Sequence, residues 1–172
     1  RVYEYSSGSW SQLGSDIDGE AANDWSGHSE DGSAVSLSSD GTIVAIGANF
    51  NDGTGTNAGH VRVYEYSSGS WSKLGSDIDG EAAGDNFGIS VSLDSDGDRV
   101  AIGGYYNNGT GTQAGHVRVY AYSSGSWSQL GGDIDGEAAG DLFGFSVSLD
   151  SDGDRVVIGA DSNAGAALGA GH

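Results

Sequence analysis

Apolar and polar residues alternate with a period of two along much of the chain. Phe87, Ile89, Val91 and Leu93 alternate with Gly88, Ser90 and Ser92, and Phe143, Phe145, Val147 and Leu149 repeat the series. Successive side chains of an extended strand point to opposite faces, so the pattern predicts half-buried strands. Val100 and Ile102 form a next strand, with Ala101 and Gly103 on its other face. In "GHVRVYEY", Val61 and Val63 face one way and Arg62, Tyr64 and Tyr66 the other; "SWSKLG" follows as a shorter fourth strand. Helical spacing never extends over a useful length. Gly, Asn, Asp and Ser punctuate the chain about every eight to twelve residues, an all-β signature. The predicted strands are 33–38, 43–47, 61–66, 70–74, 88–93, 99–103, 117–122, 126–130, 144–149 and 155–159.

The pattern recurs. "RVYEYSSGSWSQLGSDIDGEAA" opens at Arg1, "RVYEYSSGSWSKLGSDIDGEAA" at Arg62 and "RVYAYSSGSWSQLGGDIDGEAA" at Arg118. The chain reads as a single array of three units, 1–61, 62–117 and 118–172, with no linker between them. "SVSLDSDGDRVAIGG" (90–104) and "SVSLDSDGDRVVIGA" (146–160) agree at 13 of 15 positions, which reads as one hairpin used twice. Four short strands per unit predict four-stranded antiparallel sheets of the β-propeller type, with a β-solenoid as the alternative. The first unit carries extra residues in "NDWSGHSEDGSAVSL", where the others read "GDNFGISVSL" and "GDLFGFSVSL".

Charge narrows the function classes. Twenty-five acidic residues face six basic ones, a formal charge of −19. Phosphate binding needs clustered Lys and Arg, so nucleic acid is opposed, as is an anionic membrane surface. No apolar run is long enough to insert in a membrane. Cysteine is absent, which excludes disulfides and thiolate metal sites. Serine is abundant but sits in repeated "SSGS" turns, and no nucleophile and base stand out. The reading is therefore non-enzymatic.

"DNFGISVSLDSDGDRVAIGG" and "DLFGFSVSLDSDGDRVVIGA" resemble the FG-GAP repeat, the blade motif of integrin α-subunit propellers and of many bacterial surface proteins. The Phe-Gly pairs are Phe87-Gly88 and Phe143-Gly144; the Gly-Ala half is Gly47-Ala48 and Gly159-Ala160, with Gly103-Gly104 in the middle unit. The first unit has Trp25-Ser26-Gly27 where Phe-Gly is expected. The resemblance implies calcium in the loop between the first two strands of a blade, held by Asp94, Asp96 and Asp98 and by Asp150, Asp152 and Asp154. Ser92 and Val100 stand where further carboxylates belong, and the first unit keeps only Asp40 there. A plain Asp-Gly turn, in which Asp accepts nearby backbone N–H groups, is the competing reading.

Other candidates recur with the repeat. Trp10, Trp71 and Trp127 could stack on sugars or pack between sheets. Asp77, Asp79, Glu81 and Asp85, with counterparts in the other units, read as a cation rim or as a solvated connector. His60, His116 and His172 read as strand-edge hydrogen bonders. Asn108-Gly109-Thr110 is a glycosylation acceptor pattern. In the first unit, "WSGHSEDGS" brings His28, Glu30 and Asp31 close in sequence.

These readings converge on a non-catalytic, extracellular or cell-surface structural or adhesive module. The alternative is a lectin-like propeller whose glycan binding depends on calcium. Three units fall short of the four or more blades that a closed propeller needs. The ends are therefore expected to pair with a second copy or with a continuation of the same chain, and surface glycans or proteins are the expected partners.

Overall fold

The computed structural model describes residues 1–28 and 33–163. Among these residues there is no helix; they form β1 (Tyr3–Ser6), β2 (Ser9–Gln12), β3 (Val35–Leu37), β4 (Ile43–Ala48), β5 (His60–Ser67), β6 (Ser70–Lys73) and β7 (Ile78–Asp79). β8 (Ser90–Leu93), β9 (Arg99–Gly104), β10 (His116–Ser123), β11 (Ser126–Gln129), β12 (Ile134–Asp135), β13 (Phe143–Leu149) and β14 (Val156–Ala160) follow. Strands β3-β4-β5-β6 make one antiparallel sheet and β8-β9-β10-β11 another of the same order. Two antiparallel hairpins, β1-β2 and β13-β14, flank them in sequence.

The "SSGS" segments are two-residue hairpin turns. Ser68 and Gly69 both have positive φ (52° and 87°) between the paired residues Ser67 and Ser70. That conformation matches the twist of the strands it joins, and glycine takes it without strain. The turn fixes the register that sets Tyr66 opposite Trp71, and Ser124-Gly125 does the same for Tyr122 and Trp127.

The two large sheets lie face to face. Val61, Val63 and Ile78 from the first pack with Phe87, Val91, Leu93, Val100 and Ile102 from the second in one buried cluster. Removing these apolar surfaces from water is the main stabilising term. Serine is a bonding residue in this stack. Ser36 Oγ accepts from Leu93 N at 3.0 Å, and Ser92 Oγ accepts from Leu149 N at 3.0 Å, so each first strand is tied to the next sheet. Ser90 Oγ donates to the Gly144 carbonyl at 2.7 Å. Close approach needs glycine as well: a Cβ at Gly103 would collide with the Gly144 carbonyl oxygen.

Two expectations are corrected. First, β8 begins at Ser90, and Phe87 makes only an isolated bridge to Gly59. Asn86 (φ 54°) and Gly88 (φ 92°) break the alternation, and the Phe87 ring fills the core between the sheets. Second, β9 is buried on both faces, because stacking covers Ala101 and Gly103 as well as Val100 and Ile102. In the first unit Ser26 takes the place of Phe87. A Cβ at Gly19 would meet Ser26, just as one at Gly80 would meet Phe87. Trp25 (φ 56°) takes the backbone conformation of Asn86 and stays exposed, edge-on to Phe50 and His28.

Candidate functional site

The acidic connector after the fourth strand is more than a solvated loop. Ile78-Asp79 and Ile134-Asp135 form short strands on the open edges of β5 and β10, setting Asp79 opposite His60 and Asp135 opposite His116. The chain then turns toward the next sheet. This brings Glu81, from the connector, to His116 at the head of β10 and to Asp133 beyond β11.

His116 is fully buried, and neither ring nitrogen has a hydrogen-bond partner. Its Nδ1 lies 3.6 Å from Asp133 Oδ2 and 4.0 Å from Glu81 Oε1. Arg118, two residues along β10, bridges the same carboxylates: its Nε and Nη2 donate to Asp133 at 2.8 Å, and Nη2 also donates to Glu81 Oε2. Asn107 Nδ2 donates to Glu81 Oε1 at 2.8 Å and to the buried Asp85 at 3.1 Å. Hydrogen bonds from Arg118 hold the Asp133 carboxyl down at about 2, against the opposing effect of burial. Burial pushes the His116 imidazole below its ordinary value, and the Arg118 charge adds to this.

The preceding sheet repeats the arrangement with Glu20, His60, Asp77 and Arg62. Arg62 bonds Glu20 at 2.8 Å and Asp77 at 2.9 Å. Both triads, Glu20–His60–Asp77 and Glu81–His116–Asp133, offer ligand atoms within 4.8 Å of one another. The sequence separates each Glu from its Asp by more than fifty residues, so only sheet stacking reveals the triad. The recurrence of one His and one acidic connector per unit was the available signal.

In the aspartate turns, Asp94 is buried and its Oδ1 accepts from Gly97 N at 2.8 Å and Arg99 N at 3.1 Å. Asp96 and Asp98 are exposed. Asp150 repeats the turn, with Oδ1 accepting from Asp154 N and Arg155 N, while Arg155 pairs with both Asp150 and Asp154. Arg99 reaches across to the Asp152 carbonyl at 2.9 Å. Asp94, Asp96, Asp98 and Asp152 line a polar hollow with Arg99 among them. In the first unit Ser38 stands at the Asp94 position and its Oγ accepts from Ile43 N at 2.9 Å, while Asp40 accepts from Thr42 N at 2.9 Å.

The recurring tryptophans join sheets. Trp71 Nε1 donates to the Leu13 carbonyl and Trp127 Nε1 to the Leu74 carbonyl, each at 2.8 Å. Both are partly buried; Trp10, which lies 5.3 Å from Tyr5, is 69% exposed. Trp127 also edges a shallow hollow of about 210 Å³ with Asp77, Asp79 and Tyr120. Asn108 is exposed on a loop, and its Oδ1 accepts from Gln113 N. His28 packs against Trp25, whereas Glu30, Asp31 and His172 lie outside the described residues.

Compared with family models and with curated proteins, the sequence matches none.

Proposed function

We propose that the chain is a run of β-propeller blades of the FG-GAP kind, serving as a non-catalytic structural or adhesive module on a cell surface or in a secreted protein. The observation that carries this reading is the stack of antiparallel meanders, joined face to face by recurring serine, glycine and tryptophan contacts. Such contacts commit the repeated residues to joining one sheet to the next. A charge of −19 suits an exposed, soluble surface that repels polyanions. Beads coated with the chain are expected to adhere to surface polysaccharide or matrix protein above a control protein of matched acidity. Adhesion equal to the control overturns the adhesive part of the reading.

A second reading is a lectin-like module, favoured by the hollow in which Trp127 and Tyr120 meet Asp77 and Asp79. An aromatic face beside carboxylates stacks on a sugar ring and accepts its hydroxyl protons. In this reading calcium at the Asp94 and Asp150 turns stiffens the rim. A glycan that quenches tryptophan fluorescence in the parent chain and not in Trp127→Ala supports it. Equal quenching in both removes Trp127 from the site.

A further inference from the structure

We propose that Glu81, His116 and Asp133 bind a divalent transition-metal cation of the zinc type at the seam between the two large sheets. Four observations lead there. The first is the imidazole. His116 is completely buried with both nitrogens unpartnered, and its Nδ1 points at two carboxylates 3.6 and 4.0 Å away. A buried polar group without a partner is costly, and coordination through Nδ1 removes that cost for one of the two nitrogens.

The second is geometry. Each residue offers one ligand atom, all within 4.8 Å of one another. Tetrahedral zinc, with bonds of about 2.0–2.2 Å, places its ligands roughly 3.4 Å apart, so the cluster needs only a modest contraction. Glu81 can supply it, because its side chain is 43% exposed on a connector. Imidazole with carboxylates suits zinc and its neighbours, whereas calcium takes six to eight oxygens.

The third is charge. Glu81, Asp85 and Asp133 bring three carboxylates against the single guanidinium of Arg118, and Asp85 Oδ1 is itself buried without a partner. A divalent ion neutralises the excess. Arg118 need not leave, since it also holds Asp133 Oδ1 and Glu81 Oε2 and so positions both carboxylates.

The fourth is where the repeat breaks. Gly104 stands where the other units have Ala48 and Ala160, and a Cβ there would come within 2.8 Å of His116 Nε2. Glycine gives this imidazole its place. Gln129 stands where the preceding sheet has Lys73, whose Nζ bonds Asp77 at 2.8 Å. The extra ammonium opposes a cation at Glu20–His60–Asp77, so the His116 cluster is the stronger site.

The test uses the whole 172-residue chain, stripped with chelator and titrated with cobalt(II) as a spectroscopic probe, then with zinc by calorimetry. We expect visible ligand-field bands that saturate at one tight equivalent and are displaced by zinc and not by calcium. Glu81→Gln and Asp133→Asn should each weaken binding by about ten-fold or more, with an unchanged circular dichroism spectrum. Lys73→Gln should strengthen a second equivalent. The His116 ring resonances should shift on zinc addition, which reports the imidazole without relying on a His116 variant that could misfold. Absence of bands in the parent chain, or binding unaltered in both Glu81→Gln and Asp133→Asn, overturns the site.

Discussion

At the scale of single residues, the repeated serines and aspartates are backbone-satisfying groups. Ser92→Ala removes the acceptor for Leu149 N and leaves that amide at the seam without its partner. The expected loss is about 1–2 kcal/mol, read from urea melts. Asp94 behaves differently. Burial raises its carboxyl above the ordinary 3.8, with the nearby Asp98 also contributing, although the Arg99 and Gly97 amides pull the other way. A group whose folded pKa is raised favours the fold below its unfolded pKa, and that contribution is lost as pH rises through the folded value. Asp94→Asn keeps an oxygen for Gly97 N and Arg99 N without titrating. In calcium-free buffer its stability relative to the parent chain should therefore rise between pH 3 and pH 7. Calcium at this turn reverses the ranking: added calcium then raises the melting temperature of the parent chain and not of Asp94→Asn, and chelator undoes it. Melting curves indifferent to calcium and chelator leave the carboxylate as a turn cap alone.

At the scale of elements, each strand has a place set by its neighbours as much as by its own letters. The alternation in "SVSL" and "RVAIG" made β8 and β9 legible, since a period of two has one structural meaning. It misplaced Phe87, because a positive φ at Asn86 and Gly88 lies outside any hydrophobic pattern. The two-residue strands β7 and β12 were too short to show a period at all. Tryptophan illustrates the same dependence. Trp127 bonds the preceding sheet through Nε1, whereas Trp10 is exposed. Trp127→Phe should cost about 1 kcal/mol through the lost hydrogen bond, and Trp10→Phe should leave the melt unchanged. Equal effects would mean that the indole bridge contributes nothing to stability.

At the scale of the whole molecule, equivalent positions differ in burial according to what lies against them. Val91 and Leu93 are buried in the core, but their counterparts Val35 and Leu37 are about half exposed, at 52% and 49%. Ala45 and Ala101 are fully buried, whereas Val157 in the same position of the repeat is 74% exposed. Val2, Ile17, Val35, Leu37, Val44 and Ile46 line a cavity of about 270 Å³ that corresponds to the filled seam between the large sheets. A strand pair such as β13-β14, set beside β1, would cover this cavity with Val157. Further chain or a second copy could provide it, and head-to-tail pairing of copies gives a ring or a filament. Light scattering on the 172-residue chain should show concentration-dependent association. Val157→Asp and Leu37→Asp should each reduce it without unfolding the chain. A stable monomer with protected terminal amides in hydrogen exchange overturns this arrangement.

The sequence by itself determined the longer strands and their hairpin turns, because these follow from local periodicity and from turn chemistry repeated along the chain. "SSGS" and "SDGD" specify turns through nearby backbone groups alone. Tertiary structure decided which faces are covered and which side chains converge. Glu81 meets His116 and Asp133 only because one sheet stacks on the next, and no local pattern encodes a contact across that distance. The same stacking turned Ser92 from a polar strand residue into a cross-sheet acceptor and Gly103 into a point of contact. The depressed Asp133 carboxyl and the unpartnered His116 arise from burial and from Arg118, which are properties of the assembled seam.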